Sequence, residues 1–138
     1  NDIAACGFDK EQARQSIPAF ETEIMVAYAY DAIRRTSPLA FFGMVLVLEG
    51  TSINLAEQAA SQIGAKLDLP RKAFSYLNSH GALDQEHIKF YENLMNKISA
   101  EDEQAVIVHA AKRFYRLYGD IFRSLEQPHG LRKLEPVA

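Results

Sequence analysis

Residues Ser79 to Phe90 read SHGALDQEHIKF, and the chain's organisation follows from which side of a helix this segment buries. Successive helical residues are about 100° apart, so His80, Asp84 and His87 fall within roughly 60° of arc. The same stripe continues through Leu83, Tyr91, Leu94 and Ile98. Gln85, Glu86, Lys89, Glu92 and Asn96 take the opposite side. Two imidazoles and a carboxylate therefore share the apolar face, the face that packs. The pattern predicts a helix over His80–Ile98.

Working outward, the same periodicity recurs and strand-like alternation does not. A first long helix is expected from Ile17 to Arg35, with Ser16 as its cap and Pro18 in the first turn. A second is expected from the Ser37 cap and Pro38 to about Lys66, its Gly43 and Gly50 suggesting close helix contact. Leu67-Asp68-Leu69-Pro70 breaks the pattern, and a short helix over Arg71–Asn78 leads into the His80 helix, with a kink between them. Ser99 is the expected cap of a last helix that reaches about Leu125. Residues 1–15 supply material for one short extra helix. Antiparallel packing of such helices gives an all-α bundle, with one domain over residues 1–126 and a loose tail over 127–138, where Pro and Gly cluster.

Glu49 stands at the end of the apolar run from Phe41 to Leu48, on a stripe with Phe42, Val45, Leu46, Ile53, Ala56 and Ala60. A buried charge without a partner costs several kcal/mol, so this carboxylate must be protonated, paired or bound to a cation. Glu49, His80, Asp84 and His87 thus converge by orientation. Bundle cores hold metals with carboxylates and His on facing helices. A mixed oxygen and imidazole set without thiolate suits iron (Fe2+) or manganese, and accepts zinc. The alternative is a His–Asp–His ladder that only satisfies itself.

The bulk composition narrows the classes. The chain has 138 residues, 48% of them hydrophobic, and a net charge of −3, as expected for a single globular domain. The basic pairs Arg34-Arg35, Arg71-Lys72 and Lys112-Arg113 are dispersed, which argues against nucleic acid as a partner. The apolar run Leu39–Leu48 is too short to span a bilayer, so no membrane association is expected. The lone Cys6 excludes an internal disulfide and fits a cytoplasmic setting.

The triple His80-x3-Asp84-x2-His87, with Glu49 about thirty residues upstream, resembles the haem-oxygenase-like di-iron oxidases and oxygenases, the iron-containing redox enzymes. The surrounding FSYLNSHGALDQEH is similar to the same helix in that group. The resemblance is carried by residues 41–98. It implies a haem-oxygenase-like helical bundle that binds one or two iron ions without haem, activates O2 and oxidises a small organic substrate. Glu49, His80, Asp84 and His87 would be the ligands, Asp84 and Glu49 being the candidates for bridging. The family also uses a Glu and a His on an earlier helix. No His precedes His80 here, so the resemblance predicts a segment ahead of Asn1 or an incomplete set. A homodimer is a further partner expectation.

The other polar residues are weaker candidates. His109 lies among Asp102, Lys112, Arg113 and Arg116, a solvated face, and His129 lies in the tail. Tyr118 shares an apolar stripe with Ile107, Phe114 and Ile121 and is a candidate donor to a carboxylate. Glu23, or its neighbour Glu21, is a candidate further carboxylate, while Tyr28 and Tyr30 sit on a helix apolar nearly all round. Cys6 has no visible activating base. Three rival readings follow: a thiamin-degrading hydrolase of the same fold, which needs a Cys nucleophile; a cofactor-less oxidase of the quinone-biosynthesis type; and a non-catalytic helical interaction module.

Overall fold

The computed structural model describes residues 2–125, without the side chains at positions 81–83 and 85. It is all-α among these residues. The elements are α1 (Asp2–Ala5), α2 (Lys10–Gln15), α3 (Phe20–Asp31), α4 (Ala40–Leu67), α5 (Ser75–Met95) and α6 (Glu101–Ser124). The expected tail over 127–138, including His129, lies outside the described residues, as does the side chain of Leu83.

Several boundaries differ from the sequence expectation for local reasons. Residues 2–15 form two short helices, and Asp9 caps the second by accepting from the Gln12 N–H at 2.7 Å. Ser16 closes α2 instead of opening α3: its hydroxyl donates to the Ala13 carbonyl at 2.7 Å. Pro18 disfavours helical geometry at the residue before it, and Ala19 is extended, so α3 begins at Phe20. Its end widens into a π-helical turn over Ala32–Thr36. Ser37 does act as a cap, accepting from the Leu39 N–H at 3.2 Å, although α4 proper begins at Ala40. Asp68, in the left-handed region at φ 51°, ends α4. A 3-10 turn over Arg71–Phe74 feeds straight into α5, which runs unbroken through Ser79 and His80. Ala100, not Ser99, is the N-cap of α6.

α4 is the central strut, about 42 Å long at 1.5 Å per residue. It packs on α5 along one side and on α6 along another, while α3 packs mainly on α6 and closes a shared core with α4. Pairing of Ala60 with Phe74 and of Phe42 with Tyr91 shows that α5 runs antiparallel to α4. α6 runs parallel to α4, since Gly43 meets Ala110 and Thr51 meets Tyr118. Gly43 is required: a Cβ there would lie 2.5 Å from the Ala111 nitrogen and 2.8 Å from the Ala110 Cβ. Among the described residues a Cβ at Gly50 would meet only Leu46, at 3.9 Å.

Two apolar clusters flank the middle of α4. Met25, Ala29, Ala32, Ala40, Val47, Ala110 and Phe114 form the larger, with Tyr28 edge-on to Phe114 at 4.9 Å. Ala60, Ala73 and Phe74 form the smaller. Among the described residues α4 as a whole is long and apolar enough to cross a membrane, which the run Leu39–Leu48 alone is not. Only 22% of the apolar window within α4 is buried in the bundle.

Candidate metal centre

Glu49 lies on the α5 side of α4, in the stretch between the two clusters. α5 presents Asp84 and His87 to it from consecutive turns, so that one ligand atom from each of Glu49, Asp84 and His87 lies within 4.8 Å of the others. His87 Nδ1 stands 3.6 Å from Glu49 Oε1 and 3.6 Å from Asp84 Oδ1. His80 joins through Asp84 alone, its Nδ1 being 3.5 Å from the same Oδ1. Asp84 is therefore the hub, one carboxylate oxygen between two imidazoles.

Burial of the four groups is unequal. Asp84 is 2% exposed, whereas the side chains of Glu49, His80 and His87 are 28%, 41% and 54% exposed. The expectation that Glu49 could hardly reach water is corrected. The reason lies in the packing: α3, α4 and α6 share the larger core, and α5 packs on α4 at the edge of the bundle, so the α4–α5 seam is open on one side.

The spacings suit a shared cation better than a hydrogen-bonded ladder. A separation of 3.5–3.6 Å is too long for a good side-chain hydrogen bond. Two atoms bound to one ion at about 2.1 Å, about 90–120° apart, lie about 3.0–3.6 Å from each other. A carboxylate as buried as Asp84 needs a positive partner, and a second carboxylate nearby deepens that need. Glu49, Asp84 and His87 could hold one ion. Asp84 and His80 offer a second, incomplete position.

The remaining expectations separate. Tyr118 is half-buried on α6; burial pushes its hydroxyl pKa up, and a hydrogen bond with Thr51 pulls it back in part. Thr51 in turn donates to the Val47 carbonyl at 2.5 Å. Tyr118 thus neighbours Thr51, two residues past Glu49, and makes no hydrogen bond to a carboxylate among the described residues. Glu23 is exposed on α3, which packs on α6, and it does not join the cluster. Glu21 lines a separate groove with Phe20, Leu117 and Arg123. His109 is exposed, as expected.

Sequence reasoning missed Tyr76, whose ring stacks on that of His80 with centroids 4.2 Å apart and planes tilted by 36°. Its position four residues before His80 was the available signal. Tyr91, one turn past His87, is buried, which raises its hydroxyl pKa. Phe42, on the facing helix, stands edge-on to it at 6.3 Å.

A family model described as an iron-containing redox enzyme matches residues 1–119. No curated protein and no solved structure matches the chain.

Proposed function

The chain belongs to the family of iron-containing redox enzymes, and from that premise we propose that it is a non-haem iron-dependent oxidase or oxygenase. Glu49, His80, Asp84 and His87 would hold the iron, with O2 and a small organic molecule as substrates. The observation that carries this reading is Asp84: a carboxylate 2% exposed, with imidazole nitrogens at 3.5 and 3.6 Å on either side. Bound iron would supply a redox-active centre able to take O2 at positions the protein leaves free.

The chain's own residues have separable roles in this reading. Asp84, in the driest position, supplies negative charge where it is least screened. One of its oxygens lies near both imidazoles, so it would act in the ligand set beside either His80 or His87. Glu49, partly exposed, closes the set from the facing helix. The exposed flank at His87 admits small molecules. The setting in this reading is the reducing cytoplasm, where Cys6 needs no disulfide partner.

Metal analysis of protein expressed in iron-supplemented medium tests the reading, with His87→Ala alongside. Wild type should carry iron and consume O2 in the presence of a reductant, and the variant should lose the metal while keeping its helical circular dichroism. Wild type that neither carries nor takes up Fe(II), or a variant that retains the metal in full, would overturn it. The same measurement separates this reading from the metal-free alternatives of the same fold.

A further inference from the structure

α5 carries three of the four proposed ligands but has no side-chain cap of its own. Its N-cap position is Phe74, whose side chain cannot accept a hydrogen bond. One donor of the first turn is met instead by a residue 74 positions away: the Asp2 carboxylate accepts from the Tyr76 backbone N–H at 2.8 Å, and also from the Ser75 hydroxyl. These bonds hold the Asp2 carboxyl below its ordinary pKa range, and they place the charge where a helix N-terminus favours it.

The residue held in this way is the one that stacks on His80. Tyr76 lies one turn before His80, and His80 one turn before Asp84, so the three form a column along one side of α5. Tyr76 is 64% exposed, so its ring is not placed there by the core. The Tyr76 ring covers one face of the imidazole, while the imidazole Nδ1 faces the Asp84 oxygen at 3.5 Å. A ring stacked on one face and aimed at a carboxylate from its edge has little freedom about its last torsion.

We infer that Tyr76 is a positioning residue for the metal centre: stacked on His80 and anchored by Asp2 across the start of α5, it sets the orientation of the His80 imidazole. The inference rests on the reading of His80 as a ligand. It assigns α1 a function too, since docking of that short helix on the turn before α5 brings Asp2 to the column. Partners that orient a metal-binding His typically change metal affinity by about 10–100-fold when removed.

The test uses the full chain loaded with Co(II), with affinity measured against a competing chelator and the ligand field read from the visible spectrum. Tyr76→Ala should weaken Co(II) binding by about 10-fold or more and shift the visible bands. Tyr76→Phe, which keeps the stacked ring, should restore both to within about twofold of wild type. Asp2→Ala should give a smaller loss in the same direction. In the metal-free protein, the ring-current shift of the His80 ring protons should vanish in Tyr76→Ala and persist in Tyr76→Phe, a readout that fold stability alone does not move. A Tyr76→Ala protein with wild-type affinity and spectrum would overturn the inference while leaving the metal reading intact. Wild type that binds no Co(II) or Fe(II) would overturn both.

Discussion

Replacing Asp84 by Asn should invert the stability order of the two proteins between the metal-free and the iron-loaded state. Without metal, the ligand oxygens of Glu49 and Asp84 lie within 4.8 Å of each other. At an effective dielectric of about 20 that repulsion is about 3.5 kcal/mol. Water at the open seam and the nearby imidazoles reduce it, so about 1–2 kcal/mol should be recovered when the charge is removed and the shape kept. For a domain of this size that is a rise in Tm of about 3–10 °C. With Fe(II) at about 100 times its Kd, wild type should gain about 2.7 kcal/mol, or about 8–13 °C, and Asp84→Asn close to nothing. Anaerobic thermal melts of both proteins, with and without Fe(II), give all four values. A variant that melts lower than wild type without metal, and shows the same shift as wild type on adding Fe(II), would mean that Asp84 only accepts hydrogen bonds inside a structural ladder.

Two further outcomes follow from the packing. Gly43→Ala puts a methyl group 2.5 Å from the Ala111 backbone nitrogen, which only separation of α4 from α6 can relieve; urea unfolding should show a loss of about 1–3 kcal/mol, and an unchanged midpoint would show that the two helices do not meet so closely. The Asp2 carboxyl is held below its ordinary pKa by Ser75 and Tyr76, so its stabilising contribution is present above its unfolded pKa and is lost as pH falls through the lower folded value; wild type should therefore lose stability below about pH 4 in a step that Asp2→Ala lacks, and identical acid limbs in urea titrations would contradict the cap.

Much of this protein is determined by local periodicity. The apolar face of α5, with Asp84 and His87 on it and Glu86 turned away, follows from 100° per residue and a stripe ending in Tyr91. The Ser37 cap and the break at Asp68 to Pro70 are equally local. The family resemblance rested on residues within one helix and its neighbour, and it agrees with the family match over residues 1–119. Tertiary structure alone decided how wet each ligand is, because exposure depends on which helices flank a seam. α5 lies at the edge of the bundle, so Asp84 is dry while His87 is half-exposed. It also decided that Glu23 has no part in the site, since α3 packs on α6. Gly43 is indispensable because it meets the α6 backbone, whereas Gly50 meets no other helix among the described residues. The Asp2 cap on α5 could not be read from sequence: a hydrogen bond spanning 74 residues leaves no periodic trace, and its existence depends on where α1 docks.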